Sequence, residues 1–147
     1  FGGKVGATWM TKEARLDEIS DYVNYLNQLY FHVLQNIDTE QVNIKILGFS
    51  QGVATVCRWV LEGKIKADAL VFYAGIPPED LEINKRQQLF SHIPITFAFG
   101  SEDKLIQQSG FDIENYLSNF TREFPQTKVI RFDAGHVIQT EVLSQLT

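Results

Sequence analysis

"ILGFSQGVAT", residues 46–55, is the segment from which the architecture of this chain can best be inferred. Its apolar run breaks at GFSQG, residues 48–52, and then resumes with the spacing of a helix. Either the pentapeptide is an ordinary tight loop, or the backbone turns sharply there to expose the hydroxyl of Ser50. A sharp strand-to-helix turn strains its central residue, so the residues two before and two after it must be small. Gly48 and Gly52 meet that need.

The preceding residues predict a long helix, because apolar positions recur at steps of three and four. Thr11 would be its N-cap, with Glu13 in the first turn. The same spacing suits a coiled coil, but the pattern stops after three heptads, which favours a helix packed on a sheet. The apolar positions on this face are Leu16, Ile19, Val23, Leu26, Tyr30, Val33 and Ile37.

The remaining chain alternates between apolar runs and helical patterns. Strands that are apolar on both faces and separated by helices predict an α/β fold, with a mostly parallel sheet between two helical layers. A polar connection at residues 77–92 has room for one short helix. Strands are predicted at residues 42–49, 67–75, 93–100 and 128–132, and helices at residues 53–63 (ended by Gly63), 113–124 and 140–146.

Composition excludes several classes of function. The 147 residues carry a net charge of −5, which argues against nucleic acid as a partner. No apolar run is long enough to span a membrane, so no integral membrane contact is expected. The single cysteine, Cys57, can form neither an internal disulfide nor a zinc site, and a reducing, cytoplasmic setting fits best.

The predicted strand ends supply three residue types that work together in nucleophilic catalysis. In parallel sheets, functional groups collect at the carboxyl ends of the strands. Ser50 follows the first strand, Asp103 the third and His136 the fourth. His136 would accept the proton of the Ser50 hydroxyl, and Asp103 would hold the imidazole in the required tautomer. The backbone N–H of Gln51 would be one donor of an oxyanion hole.

Simpler interpretations remain open for each of these residues. Ser50 could be a turn residue, Asp103 a helix cap and His136 an ordinary loop histidine. Glu102 and Asp133 are neighbouring carboxylates that could replace Asp103 as the acid. Buried or surface roles are favoured for three further residues: His32, His92 and Cys57.

An apolar substrate pocket is expected beside the serine. Trp9, Met10 and Phe49 are candidates for its lining, although aromatic and methionine side chains are more often part of a core. A dinucleotide-binding turn is excluded, because the chain has no Gly-x-Gly-x-x-Gly followed by an acidic residue.

The motifs "GFSQG", "YAGIP", "GSEDKLI" and "AGHVI" resemble the phospholipase/carboxylesterase branch of the α/β-hydrolases, which includes small carboxylesterases and acyl-protein thioesterases. The resemblance extends from about residue 42 to the end of the chain. It implies hydrolysis of small carboxylic esters, or of thioesters or lysophospholipids, through an acyl-enzyme on Ser50. Asp103 and His136 complete the implied triad, and neither a metal nor a cofactor is implied.

Two departures from the family pattern lead to further expectations. Val53 stands where family members often have a second glycine. Only one loop and one helix precede residue 42, so we expect residues 1–147 to form one domain that corresponds to the C-terminal two-thirds of the fold. The N-terminal strands and the second oxyanion donor would then be missing, which leaves an inert fragment as an alternative. The strand before Ser50 would have an open edge, which a homodimer is one way to cover.

Overall fold

The computed structural model describes residues 14–146. Over this range helices and strands alternate along the chain. The elements are α1 (Arg15–Leu34), β1 (Lys45–Phe49), α2 (Gly52–Glu62), β2 (Ala69–Tyr73), α3 (Ile83–His92), β3 (Ile95–Gly100), α4 (Lys104–Ser109), α5 (Ile113–Glu123), β4 (Lys128–Phe132) and α6 (Thr140–Ser144).

In this part of the chain the strands form one sheet in the order β1-β2-β3-β4, and every neighbouring pair is parallel. Phe49 lies opposite Tyr73, and Gly100 lies opposite Phe132. The carboxyl ends of the strands therefore meet at one edge of the sheet, where the loops that follow them come together. The predicted α/β fold with a parallel sheet is confirmed.

Helices α1, α2, α3 and α5 cover one face of the sheet. Connections between adjacent parallel strands are right-handed, so consecutive crossovers stay on the same side. Aromatic rings fill much of this layer; Phe97, for example, packs edge-on against Phe72 and Phe120 at centroid distances of 5.3 and 5.0 Å. Its fully buried side chains include Val53, Cys57, Leu70, Phe72, Phe90 and Phe97.

The opposite face is covered, within the described residues, by α6. Val142 of this helix packs against Val71, Tyr73 and Ala98 of the sheet. Leu47 and Phe49 of β1 extend this second layer but remain only partly buried. Helices therefore lie on both faces, as predicted, although the second layer is much thinner than the first.

Helix α1 buries less of its apolar face than the sequence pattern predicted. Ile19 and Val23 are buried, but Leu16, Val33 and Ile37 are 81%, 59% and 44% exposed, so the prediction was wrong for these three. The middle of α1 packs against α2, where Tyr30 meets Trp59 edge-on. Ile37 follows the end of the helix. The predicted cap residues, Thr11 and Glu13, lie outside the described residues.

The first three strands begin two or three residues later than predicted, whereas β4 has the predicted bounds. At the start of β1 a polar loop contact takes the place of strand pairing. The Ile44 N–H, for instance, donates to the Asp68 carboxylate at 2.8 Å rather than to a ladder. Gly63 ends α2, as predicted, and its N–H donates to the Trp59 carbonyl. Helix α3 lies within the polar connection at residues 77–92, where the sequence left room for one short helix. Helix α4 was not predicted, and it follows Asp103 directly.

Strand β1 pairs with β2 on one side only among the described strands, so the open edge expected from the sequence is present there. An apolar groove of about 420 Å³ lies beside it, bordered by Leu26 of α1 and by Val56 and Trp59 of α2.

Candidate active site

Ser50 occupies a strained turn between β1 and α2. Its φ is 55°, in the left-handed region that residues other than glycine rarely adopt. Two backbone hydrogen bonds hold this conformation. The Ser50 N–H donates to the Tyr73 carbonyl at 2.8 Å, and the Ser50 carbonyl accepts from the Val53 N–H at 3.1 Å. The serine is thus locked at the carboxyl edge of the sheet, at the start of a helix.

The two glycines around Ser50 differ in their steric roles. A Cβ on Gly48 would lie 2.7 Å from backbone atoms of Gly52 and Val53, so only glycine fits there. A Cβ on Gly52 would meet no described atom within 4 Å. The expectation that both positions must be small is therefore correct for Gly48 and wrong for Gly52, because the helix carries Gly52 away from the sheet.

A further glycine, at the end of the neighbouring strand, makes room for the serine turn. A Cβ on Gly75 would lie 2.4 Å from the Ser50 carbonyl oxygen and 2.9 Å from Val53 Cγ2. Ala74, just before it, also has a positive φ of 50°. The bulk of Val53, at which this chain departs from the family pattern, is thus accommodated by the absence of a side chain at Gly75.

Asp103 and His136 form a direct pair. His136 Nδ1 lies 2.7 Å from Asp103 Oδ2, and the carboxylate is 1% exposed. Because a carboxylate accepts, Nδ1–H is the donor in this pair, and in the neutral imidazole Nε2 then has a lone pair that can accept a proton. The other carboxylate oxygen accepts the N–H of Leu105 at 3.0 Å and caps α4. Asp103 is therefore both a helix cap and the partner of His136.

The loop that carries His136 is fixed from three sides. The Phe49 ring packs against the imidazole at a centroid distance of 4.9 Å. The buried Tyr73 hydroxyl accepts the N–H of Gln139 at 2.9 Å. A Cβ on Gly100 would lie 2.1 Å from the Ala134 carbonyl oxygen, so this glycine allows the loop to approach β3. Sequence reasoning missed Tyr73 as a contact of this loop.

Ser50 and His136 line one cavity of about 300 Å³. In the described part of the chain no direct hydrogen bond joins the serine hydroxyl to the imidazole, and such contacts often tighten only when substrate binds. The other lining residues are mainly apolar: Ala74, Gly75, Ile76, Phe99, Leu105, Ile106, Ser109, Phe111 and Ile113.

Of the three residues predicted to line the pocket, the structure describes Phe49 alone. Trp9 and Met10 lie outside the described residues. Phe49 contacts His136 but borders the groove beside β1 rather than this cavity. Among the described residues, Leu105 and Ile106 of α4 form part of the apolar wall of this cavity.

The alternative acids are placed elsewhere. Asp133 is exposed and accepts a hydrogen bond from the Ser101 hydroxyl at 3.1 Å. Glu102 is exposed, and its N–H donates to the Ala134 carbonyl. Neither side chain is paired with His136 in the described structure, which leaves Asp103 as its carboxylate partner.

The N–H of Gln51 lies at the N-terminus of α2, where the first backbone N–H groups of a helix have no partner within the helix. Among the described residues none accepts a hydrogen bond from it. The same end of the helix carries partial positive charge, which favours an anion. The Gln51 N–H is therefore available to a ligand beside Ser50.

The remaining histidines and the cysteine lie apart from this arrangement. His32 and His92 are exposed on α1 and α3. Cys57 is fully buried in α2, and desolvation raises its pKa to about 12, which keeps it a neutral thiol at physiological pH. Residues 14–146 contain no group of three histidine, cysteine or acidic side chains arranged to hold a metal ion.

A family model for phospholipases and carboxylesterases matches residues 7–147. The chain belongs to the phospholipase/carboxylesterase family. No curated protein sequence matches this family member. None of its helices in the described range has the length and hydropathy needed to cross a bilayer.

Solved structures share the fold of this phospholipase/carboxylesterase-family chain at low sequence identity. Acyl-protein thioesterase 2 of Zea mays is 14% identical over 90% of this chain and 63% of its own, with a TM-score of 0.60. A point variant of SOBER1 of Arabidopsis thaliana is 18% identical over 93% and 64%, with a TM-score of 0.57. Esterase PE8 is 18% identical over 96% and 67%, with a TM-score of 0.59. The chain thus spans about two-thirds of the length of these proteins.

Proposed function

We propose that this chain is a serine hydrolase that cleaves small carboxylic esters through an acyl-enzyme on Ser50. One observation carries the proposal: Ser50, strained at a helix N-terminus, shares a cavity with a histidine whose other nitrogen is held by a buried carboxylate. This combination of nucleophile, base and orienting acid is the arrangement that nucleophilic catalysis requires.

In the first half-reaction the Ser50 hydroxyl oxygen attacks the ester carbonyl, and its proton passes to His136 Nε2. Asp103 stabilises the resulting imidazolium through Nδ1–H. The negative charge on the carbonyl oxygen is stabilised by the N–H of Gln51 and by the dipole of α2. His136 then protonates the alkoxide leaving group as the tetrahedral intermediate collapses, which leaves an acyl group on Ser50.

In the second half-reaction a water molecule replaces the alcohol. His136 removes one proton from the water molecule while the water oxygen attacks the acyl carbon. The second tetrahedral intermediate collapses with return of that proton to Ser50, which releases the carboxylic acid and restores the serine. The apolar walls of the cavity, such as Ile76, Phe99 and Ile106, suit the hydrocarbon part of an acyl group.

A thioesterase or lysophospholipase reaction uses the same machinery and differs only in the leaving group. The similarity to a solved acyl-protein thioesterase and to a solved esterase supports both reactions equally. Parallel assays with an ester and a thioester of the same acyl chain would separate them.

Covalent labelling with a fluorophosphonate probe, read by intact mass, tests the proposal. Wild type should gain one probe, Ser50→Ala none, and Ser101→Ala as much as wild type. Ser101 is a suitable control because it follows β3 at the same edge of the sheet and lies outside the cavity. A folded wild type that resists labelling, or a Ser50→Ala variant that still reacts, would contradict the proposal.

A further inference from the structure

A second cavity lies next to the one that Ser50 lines. Its volume is about 360 Å³, compared with about 300 Å³ for the first. Ser50 and His136 line the first cavity and not the second. Among the described residues, Phe111 is the one that lines both. An acyl chain attached at Ser50 that extended into the second cavity would therefore have to pass Phe111.

The backbone around Phe111 is held on both sides. Gly110 ends α4 in the left-handed conformation, with a φ of 70°. The Phe111 N–H donates to the Ser109 hydroxyl at 3.1 Å. Asp112 caps α5 by accepting the N–H of Asn115 at 3.0 Å. The ring itself rests against Tyr116 at a centroid distance of 5.5 Å. The position of Phe111 is thus fixed by its neighbours rather than by burial.

The two cavities differ in chemistry. Apart from Ser109 and the Ser50–His136 pair, the first is walled by apolar side chains and glycine. The second combines Tyr116 and Phe120 with charged and amide groups, among them Arg86 and Asn119. A hydrocarbon chain gains free energy in the first cavity with each methylene group that leaves water, and Phe111 marks the end of that uniformly apolar lining.

We propose that Phe111 sets the maximum length of the acyl chain that this protein accepts, by separating the two cavities. This proposal rests on the proposed function, since it takes the acyl group to be attached at Ser50. Replacing the ring by a methyl group would join the cavities and admit longer chains into the second cavity, which Tyr116 and Phe120 line. Replacing it by a larger ring would shorten the accepted chain.

The size of the effect follows from the burial of methylene groups. Each methylene that is fully withdrawn from water in the enlarged space should improve binding by up to about fourfold. For Phe111→Ala, binding should therefore continue to improve over several methylenes beyond the chain length at which wild type levels off. Because Phe111 is 36% exposed, the substitution leaves the main apolar core intact, and the variant should fold.

The experiment compares wild type, Phe111→Ala, Phe111→Trp and Phe31→Ala. Phe31→Ala is the matched control, because Phe31 is an exposed phenylalanine on α1 outside both cavities. Hydrolysis of p-nitrophenyl acetate, butyrate, octanoate and laurate gives one chain-length profile. Each of the four proteins is also made with Ser50→Ala. Calorimetric titration of these proteins with the corresponding fatty acids gives a second chain-length profile, which does not require catalysis.

The expected result is a shift to longer chains in Phe111→Ala, a shift to shorter chains in Phe111→Trp and no shift in Phe31→Ala. If esters are cleaved but both profiles of Phe111→Ala match wild type, the length-setting proposal is overturned and the proposed function stands. If no ester is cleaved while the fatty-acid profile shifts, the proposed function fails and the role of Phe111 in chain length is supported. If no ester is cleaved and fatty-acid binding is absent or independent of length in both proteins, the proposed function and the role of Phe111 both fail.

Discussion

The two oxygens of the Asp103 carboxylate are used by different partners: Oδ2 lies 2.7 Å from His136 Nδ1, and Oδ1 accepts the N–H of Leu105. A single buried side chain thus starts α4 and orients the imidazole. Because α4 also supplies Leu105 and Ile106 to the cavity wall, the same contact couples the shape of the cavity to the position of the histidine.

Substitution of Asp103 should separate these two roles. Asp103→Asn keeps an oxygen that can cap α4, but its amide group can donate to His136 and favour the wrong tautomer. We expect kcat for ester hydrolysis to fall about 10⁴-fold while the free energy of unfolding changes little. Asp103→Ala should lose activity similarly and also lose about 1 kcal/mol of stability with the cap. Steady-state kinetics of both variants measure the change in kcat, and urea denaturation measures the change in the free energy of unfolding.

The control for the Asp103 variants is Asp112→Ala, which removes the cap of α5 without touching His136. Asp112→Ala should lower the free energy of unfolding about as much as Asp103→Ala does, while the His136 imidazole keeps its orientation. Comparable activity in Asp103→Asn and wild type would show that the 2.7 Å contact between Asp103 and His136 is only structural.

The glycines around Ser50 should respond in opposite ways to alanine. Gly48→Ala places a Cβ 2.7 Å from the backbone of Gly52 and Val53 and should reduce the free energy of unfolding by about 1–3 kcal/mol. Gly52→Ala meets no described atom and begins a helix, so stability should stay unchanged or rise by up to about 1 kcal/mol. Urea denaturation of the pair is the measurement, and equal losses in both variants would contradict it.

Removal of the Tyr73 hydroxyl should loosen the histidine loop. Tyr73→Phe leaves the Gln139 N–H without its acceptor, at a cost of about 1–3 kcal/mol. The rate of fluorophosphonate labelling should fall as well, because the loop that holds His136 is no longer anchored to β2. Tyr25→Phe, on an exposed tyrosine of α1, is the control and should change neither quantity. An unchanged labelling rate in Tyr73→Phe would exclude a positioning role.

Alkaline pH should destabilise the fold through Cys57. Burial raises its pKa to about 12 from an ordinary value of 9.0. As pH rises from 9 to 12, the unfolded chain loses the thiol proton while the folded chain keeps it. The stabilisation is therefore complete below pH 9 and is lost as pH rises through this window. Tyr116, whose burial also raises its pKa to about 12, acts in the same direction.

Urea midpoints at about pH 8 and about pH 10.5 measure the effect of Cys57. The stability lost through ionisation of the Cys57 thiol in the unfolded chain reaches about 2 kcal/mol at the higher pH. In Cys57→Ala the pH dependence should shrink, although the absolute stability falls at both values because a cavity is left. Equal pH dependence in the two proteins would show that the thiol does not contribute.

The sequence predicted the elements that depend on local patterns. Strand and helix alternation indicated the parallel sheet, and chain order indicated that Asp103 and His136 would follow strands that end at one edge. Helix α4 was missed because it has six residues and none of them is fully buried. Asp103 was predicted as the partner of His136, with a helix cap as the alternative, and no helix was predicted after it. The burial of α1 was overestimated because periodicity shows which residues share a face of a helix but not how much of that face another element covers.

Contacts between distant residues could not be predicted from local patterns. Tyr73 and Gln139 are 66 residues apart, and nothing in either segment indicates their hydrogen bond. The roles of Gly75 and Gly100 depend likewise on which backbone approaches them in space. The pattern around Ser50 suggested equal constraints on Gly48 and Gly52, whereas the direction of α2 makes them unequal.

The order of the sheet, β1-β2-β3-β4, bears on how the site forms as the chain is synthesised. Each strand pairs with the one made just before it, so the described sheet can grow by successive local additions from its N-terminal side. Ser50 is in place after the first of these additions, whereas His136 follows the last strand. On the proposed mechanism, Ser50 is therefore without its base while residues 74–132 are added, and His136 reaches it only when β4 has joined the sheet.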